Sequence, residues 1–314
     1  MTPGSSAPDS GDAVRIREVG PRDGFQNEPE VIATANKVRV IQELAGVGLT
    51  RIEMASFVRA DVIPQLADGA EVLREVTLGP EVERMVLVPN RRGWQNASSV
   101  RGRFDAVTLF VSASETHNMK NINRSIAGTM ADVQDLASEV LASGVKLCGA
   151  IATSFGCPYE GAVAVEQAVG LARRFVDVGA TEVIFGDTTG MANPRAVERF
   201  FAVAVQELRG IELTAHFHNT RGQGLANVVA AYEAGCRSFE SSFGELGGCP
   251  VPPGSTGNVA TEDLVGMLEE MGVPTGVDQA ALIDVARWAE GVLGRRLTSR
   301  TIVAGPVDWH RAGG

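Results

Sequence analysis

The chain has 314 residues, of which 44% are hydrophobic and 21% are charged. This composition is too apolar for a disordered protein, and charges or turn residues interrupt every stretch of about 18 residues that could span a membrane. The net charge of −10 argues against broad binding to nucleic acid or to an anionic membrane, although a local basic pocket could still hold a phosphate. We expect a soluble, globular protein of one or two domains.

The first residues differ in character from the rest of the chain. Residues 1–12 contain neither the basic segment nor the apolar segment of a signal peptide, so we interpret them as a disordered tail and expect a cytoplasmic protein. The four cysteines are widely spaced, which does not indicate a disulfide scaffold or a cysteine-rich zinc site. No linker interrupts residues 13–314, and we predict a single catalytic domain there.

Eight short β-branched or apolar runs recur along the chain, and we predict a strand at each. Longer segments between most of them carry apolar residues every three or four positions, which is typical of amphipathic helices. This alternation predicts a parallel sheet, and eight repeats favour an α/β fold of the closed (β/α)8 TIM-barrel type, with extra C-terminal helices from about residue 275. The predicted strands are residues 14–19, 51–54, 84–88, 106–111, 146–151, 182–187, 212–218 and 237–242.

Glycine and proline cluster just after the predicted strands, at the barrel end where TIM-barrel enzymes carry their active sites. At the end of the seventh strand, His216 and His218 are alternate residues and share one face, so both imidazoles could bind one metal ion. Two ordinary strand-end histidines are the alternative. His117 follows the fourth strand and could touch substrate, but a solvated loop residue is the simpler interpretation.

Three further charged residues lie in the second predicted strand or just after the first. Asp23 could complete a site of two histidines and one carboxylate, and Arg22 could stabilise a developing oxyanion. The sequence Pro-Arg-Asp-Gly is equally typical of an ordinary turn. Glu53 lies in a barrel-lining strand, where a charge is costly unless it is paired. Arg22 is its nearest plausible partner, and a purely structural ion pair is the alternative.

The loop after the eighth strand contains Cys249 among glycines, where a thiol on a mobile lid could donate or accept a proton. A small loop residue without chemistry is the alternative. Asn258 could ligate a hard cation, but its position before a helix favours a capping role. Asp187 and Asn90 face the same rim, and the spacing leaves their roles undefined.

Nine motifs in order, from about residue 14 to 273, resemble the 3-hydroxy-3-methylglutaryl-CoA lyase family, which belongs to the DRE-type TIM-barrel metallolyases. They are GPRDGFQNE, IEMASFV, PQLADGAEV, VPNRRG, NMKNINRSI, GCPYEG, GDTTGMANP, HFHNTRGQGLAN and LGGCPVPPGSTGNVATEDL. The resemblance implies cleavage of that thioester, or of a related 3-hydroxyacyl-CoA, to acetyl-CoA and a keto acid such as acetoacetate. It also suggests a homodimer.

The resemblance implies a divalent cation, Mg²⁺ or Mn²⁺, held by Asp23, His216, His218 and Asn258, which replaces the capping interpretation of Asn258. It further implies that Arg22 binds the thioester oxygen, that Glu53 is a supporting acid and that Cys249 is the acid or base of a lid. For the phosphates of CoA, the rim loops offer a set of basic residues, with ordinary solvated side chains as the alternative: Arg91, Arg92, Lys120 and Arg124.

Two positions depart from the family pattern. Asn219 stands where the family commonly has aspartate, and Arg221 stands where it has an aromatic residue. Neither change removes an implied metal ligand. Arg221 could instead reach a substrate carboxylate, so the acyl group stays open between hydroxymethylglutaryl and another, such as citramalyl.

Other classes of protein would use some of the same residues and are alternative interpretations of the sequence. A Claisen-condensing acyl transferase of the same superfamily would share the metal set, although such synthases commonly carry extra C-terminal regions. A Schiff-base aldolase would need an inward lysine, and Lys146 lies near the start of its strand. A two-histidine iron oxygenase and a non-catalytic binding barrel are further alternatives, which anaerobic activity with Mg²⁺ and a thioester-cleavage assay would separate.

Overall fold

The structure is a computed structural model that describes residues 13–248 and 257–308. Within these ranges, eight parallel strands pair in chain order and close into a barrel, which confirms the predicted (β/α)8 TIM barrel. Each predicted strand is present, with ends that differ by at most two residues. The strands are β1 (Arg15–Glu18), β2 (Arg51–Ser56), β3 (Glu83–Leu87), β4 (Ala106–Ser112), β5 (Lys146–Ala152), β6 (Glu182–Asp187), β7 (Glu212–Phe217) and β8 (Ser238–Ser241). The predicted disordered tail, residues 1–12, lies outside the described residues.

The helices between the strands cover the outside of the barrel. In the helix Pro194–Glu207, for example, Asn193 caps the first turn through its side chain, and the buried Val197, Phe200, Phe201 and Ala204 recur at helical spacing. The helices are α1 (Thr34–Gly46), α2 (Gly69–Glu75), α3 (Arg91–Ser98), α4 (Glu115–Ile122), α5 (Ile126–Ala142), α6 (Val165–Asp177), α7 (Pro194–Glu207), α8 (Gly224–Glu233), α9 (Thr261–Glu270), α10 (Gln279–Leu293) and α11 (Arg300–Ala304). No helix among the described residues is long and apolar enough to cross a membrane.

The inside of the barrel is layered by polarity. A small apolar layer of Met85, Ala106, Cys148 and Ile184 fills the middle. At the N-terminal end, Arg51 forms ion pairs with Glu83, Glu182 and Glu212. Lys146 pairs with Glu83 at that same end, away from the rim loops, so it is badly placed for a Schiff base.

Candidate active site and metal cluster

A single wide helical turn after β1 places two charged residues at the mouth of the barrel, where the strands end. Gly20–Gly24 forms this turn, and the Asp23 N–H donates to the Val19 carbonyl oxygen at 2.7 Å. The turn requires glycine at position 20, because a Cβ there would lie 2.6 Å from the Phe243 ring and 2.7 Å from Glu18 Oε1. Arg22 and Asp23 both line the cavity that opens at the mouth.

The two histidines of β7 meet Asp23 at the mouth. The ring centroids of His216 and His218 are 5.0 Å apart. One candidate ligand atom from each histidine and one carboxylate oxygen of Asp23 lie within 4.8 Å of one another, and all three residues are buried. The structure therefore brings together the two imidazoles and the carboxylate in a set that could hold one metal ion.

Asn258 adds an amide to this cluster. Its Nδ2 donates to Asp23 Oδ2 at 2.8 Å, and no described residue donates a hydrogen bond to its buried Oδ1. The helix α9 begins only at Thr261, with Ala260 at the capping position, so the local capping interpretation of Asn258 was wrong. Two imidazoles, a carboxylate and an amide oxygen form a donor set that suits a divalent cation, and an unpaired buried oxygen next to them fits this use.

Arg22 connects the cluster to β2. Its Nε donates to Glu53 Oε2 at 2.5 Å and its Nη1 to Asp23 Oδ1 at 2.5 Å. Burial opposes ionisation of Asp23, but the Arg22 guanidinium and the imidazoles of His216 and His218 outweigh it and lower the pKa of that carboxyl. The predicted pairing of Glu53 with Arg22 is present.

Glu53 itself is almost fully buried. Burial raises the pKa of its carboxyl, Arg22 counteracts this, and the nearby carboxylate of Glu240 raises it further. Its second oxygen, Oε1, has no hydrogen-bond partner among the described residues. The other oxygen, Oε2, accepts the hydrogen bond from Arg22, and through it Glu53 holds the guanidinium at the mouth.

The cavity at the mouth has a volume of about 350 Å³ and two contrasting walls. The polar wall carries the charged cluster, while the opposite wall is apolar and includes Leu87, Phe110, Ala150 and Ile184. A larger cavity of about 1090 Å³ opens at the N-terminal end of the barrel. Most of its charged side chains are joined in ion pairs and no metal cluster of described residues lies there, so the smaller cavity is the better candidate.

His117 forms part of the cavity wall, so the expectation of a solvated loop residue was wrong. It lies in the first turn of α4, is 8% exposed, and its Nδ1 is 2.6 Å from Ser112 Oγ. Burial lowers the pKa of its imidazole. The residue lies in a helix and not in a loop, because only two residues separate the end of β4 from the start of α4.

The four basic residues predicted to bind CoA do not form one cluster. Lys120 lines the cavity, with its Nζ 5.0 Å from the centre of the Tyr159 ring. Arg91 pairs with Glu139, and Arg124 pairs with Asp132, both on the outer helix α5. Arg92 is exposed at the start of α3. Lys120 is therefore the member of this set that faces the candidate site.

The two residues that depart from the family pattern, Asn219 and Arg221, form hydrogen bonds with other loops. Arg221 Nη1 donates to the carbonyl oxygens of Thr189 and Gly190, and it is not among the described residues that line the cavity, so the expected contact with a substrate carboxylate is not supported. Asn219 donates to Glu245 Oε1 at 2.7 Å. Cys249, the predicted lid residue, lies outside the described residues.

The sequence left the roles of two rim residues undefined, and in the structure both accept hydrogen bonds from backbone N–H groups. Asn90 caps α3, since its Oδ1 accepts from the Gly93 N–H at 3.0 Å. Asp187 Oδ1 accepts from the N–H groups of Met191 and Ala192, and burial raises the pKa of its carboxyl to about 7. Both residues shape the loops that surround the cavity.

Two charged residues that connect to His216 from inside the barrel were not predicted from the sequence. Glu240 accepts from His216 Nδ1 at 2.8 Å, and Arg17 Nη1 donates to Glu240 at 2.8 Å. The signal that identified Glu53, a charge on an inward strand position, was present for both residues.

A closed (β/α)8 barrel with a buried histidine and carboxylate cluster at its C-terminal mouth is the architecture of a TIM-barrel enzyme. The HMGL-like family model matches residues 13–288. A hydroxymethylglutaryl-CoA lyase of Bacillus subtilis is 42% identical over 289 residues, which cover 92% of this chain and 96% of the relative. An (R)-citramalyl-CoA lyase of Chloroflexus aurantiacus is 38% identical, with 94% and 96% covered.

A solved structure leads to the same family. An HMG-CoA lyase from Acinetobacter baumannii, in complex with coenzyme A and 3-methylmalate, superposes with a TM-score of 0.92 at 39% identity and covers 96% of this chain and 99% of its own. The chain belongs to the HMGL-like family and is a lyase of the hydroxymethylglutaryl-CoA lyase type.

Proposed function

We propose that this enzyme cleaves 3-hydroxy-3-methylglutaryl-CoA to acetyl-CoA and acetoacetate by retro-Claisen chemistry with a bound divalent cation. The observation that carries the proposal is the cluster of Asp23, His216 and His218, with Asn258 beside it, in a cavity that also contains Arg22. The relatives named for this activity align with more than nine-tenths of the chain.

The reaction needs no external oxidant or reductant. The substrate hydroxyl loses its proton, the electron pair of the C2–C3 bond moves to C2, and the oxygen at C3 becomes a ketone. The resulting thioester enolate is then protonated at C2 to give acetyl-CoA. The site must therefore favour an oxyanion on the hydroxyl, stabilise the enolate and supply one proton.

Asp23, His216, His218 and Asn258 would hold the cation, Mg²⁺ or Mn²⁺. When bound, the cation would act as a Lewis acid that lowers the pKa of the substrate hydroxyl and orients the substrate oxygens. Asp23 suits this role because the Arg22 guanidinium lowers the pKa of its carboxyl and so favours the ionised form.

Arg22 would stabilise the enolate oxygen of the thioester. Its guanidinium lies at the mouth and is held by Glu53 and Asp23, so it requires little reorganisation during the reaction. Glu53 acts by orienting that guanidinium. We assign the proton delivered to C2 to Cys249, and the phosphates of CoA to the basic rim residues, of which Lys120 lines the cavity.

Citramalyl-CoA is the second candidate substrate, and the 38% identical (R)-citramalyl-CoA lyase favours it. It carries a carboxylate directly on C3, and its cleavage would give acetyl-CoA and pyruvate. The contacts of Arg221 with the loop after β6 do not support a role in binding this carboxylate.

Purified protein tests the proposal with a panel of 3-hydroxyacyl-CoA thioesters, with Mg²⁺ or Mn²⁺ and after treatment with a chelator. Acetyl-CoA release is followed, and the keto acid is identified. We expect hydroxymethylglutaryl-CoA to have the highest kcat/KM and the chelator to abolish turnover. A higher kcat/KM for citramalyl-CoA would favour the second candidate, while absence of cleavage with every thioester would contradict the proposed function.

A further inference from the structure

Three side chains on adjacent strands form a continuous polar chain inside the barrel. Glu240 of β8 is the pairing neighbour of His216 in β7 and of Arg17 in β1. Paired positions on parallel strands project to the same side, and here that side is the barrel interior. Arg17 is 0% exposed and Glu240 is 6% exposed, so the contacts between them are shielded from water.

The contact between Glu240 and His216 determines which imidazole nitrogen carries hydrogen. Glu240 Oε2 lies 2.8 Å from His216 Nδ1. An ionised carboxylate only accepts hydrogen bonds, so Nδ1 is the donor and the lone pair stays on Nε2. The imidazole is thereby left in the tautomer that can ligate a cation through Nε2.

Arg17 holds Glu240 from the other side. Its Nη1 donates to Glu240 Oε1 at 2.8 Å, and its Nη2 forms an ion pair with Glu182 at 2.6 Å. Because one carboxylate oxygen is bound by the guanidinium, the other faces the imidazole. Arg17 also supplies the positive charge that a carboxylate buried this deeply requires.

The geometry points to Glu240 as a positioning residue that holds His216 in its Nδ1–H tautomer for the cation, with Arg17 acting through Glu240. This inference rests on the proposed function, because the cation site belongs to it. It adds two residues from the barrel interior that act on the metal site through His216.

Glu240→Gln tests the first part, because the amide can face Nδ1 with either a donor or an acceptor. The Mn²⁺ affinity of metal-stripped protein is measured by electron paramagnetic resonance, and the imidazole tautomers are measured by ¹⁵N NMR before metal is added. We expect Mn²⁺ to bind about 10–100-fold more weakly and His216 to show both tautomers. Glu212→Gln is the matched control, since Glu212 lies on the same strand as His216 but pairs with Arg15 and Arg51.

Arg17→Met tests the second part, with Arg17→Lys as the variant to use where the methionine variant does not fold. The loss of Mn²⁺ affinity should not add to that of Glu240→Gln in the double variant, because both changes act through one contact. Losses that multiply would show that Arg17 does not act through Glu240.

The outcomes separate this inference from the proposed function. Wild-type protein that binds no Mn²⁺ at His216 would contradict the cation site itself. Wild-type binding that Glu240→Gln leaves within about twofold, with a single His216 tautomer, would overturn the positioning role alone. An equal loss of affinity in Glu212→Gln would also overturn it, because a general disturbance of β7 would then explain the result.

Discussion

Arg22 donates through Nε to Glu53 Oε2 across 2.5 Å and thereby joins the turn after β1 to the strand β2. The same guanidinium contacts Asp23, so one side chain connects the candidate cation ligand with a buried acid. A group held in this way can stabilise charge in the transition state without first being ordered.

The first prediction concerns Arg22. Arg22→Gln should lower kcat by about 10²–10³-fold while the protein stays folded, because it removes a preorganised donor to the enolate oxygen. Acetyl-CoA release at saturating substrate measures kcat. Arg84→Gln is the matched control, since Arg84 pairs with Asp105 at the opposite end of the barrel. Near-normal turnover of folded Arg22→Gln protein would refute the role of Arg22.

The second prediction concerns the cation. Mn²⁺ at about 100 times its dissociation constant should stabilise the folded protein by about 2.7 kcal/mol, because it binds only the folded chain. His218→Asn should lose most of this gain, and the melting temperature with and without Mn²⁺ measures it. The exposed Glu270→Gln should keep the full gain. An undiminished shift in His218→Asn would place the ion elsewhere.

The third prediction concerns the stability of the fold as pH changes. Burial raises the pKa of Glu18 to about 7 and of Glu262 to about 8, from an ordinary value of 4.5. Between pH 4.5 and about pH 8, the folded chain therefore binds more protons than the unfolded chain. The corresponding stability is fully present below about pH 4.5 and is lost as the pH rises to about 8.

Glu262→Gln should flatten this decline, because the amide does not titrate. Urea unfolding midpoints between pH 5 and pH 9 measure the effect, and Glu270→Gln, an exposed position on the same helix, should follow the wild-type curve. Parallel curves for wild type and Glu262→Gln would show that the buried carboxyl does not titrate in this range.

The fourth prediction concerns Cys249. If its thiol supplies the proton to C2, Cys249→Ala should lower kcat by about 10²–10⁴-fold with little change in KM. Cys236→Ala is the control, since Cys236 is buried and its pKa is raised to about 12. Full turnover of Cys249→Ala at saturating substrate would show that another group delivers the proton.

The fifth prediction concerns CoA. Lys120→Ala should raise KM by about tenfold or more and leave kcat largely unchanged, because a charged hydrogen bond to phosphate contributes about 1.5–3 kcal/mol. Steady-state kinetics separates the two constants. Lys146→Ala, at the other end of the barrel, is the control. An unchanged KM would remove Lys120 from the CoA site.

The barrel was predictable because its strands are near-continuous apolar runs with turn residues at their ends. The alternation along β7 also placed His216 and His218 on one face without any knowledge of the fold. These features are local, since each depends on residues within one strand or one turn.

Contacts between distant residues were not predictable in this way. Asn258 lies 235 positions from Asp23, and its local sequence favoured a helix cap. Family resemblance, not spacing, associated it with the cation. Arg221 replaces an aromatic residue of the family, and the sequence left open whether it reaches a substrate carboxylate. The carbonyl groups that bind it belong to a different loop. Closure of the barrel determines these pairings.

A crystal grown with Mn²⁺, with data collected at the manganese absorption edge, tests the central claim most directly. We predict one anomalous peak at the barrel mouth, within coordination distance of Asp23, His216, His218 and the Asn258 amide oxygen. No peak at this position, in crystals of protein that cleaves the thioester with Mn²⁺ in solution, would contradict the claim.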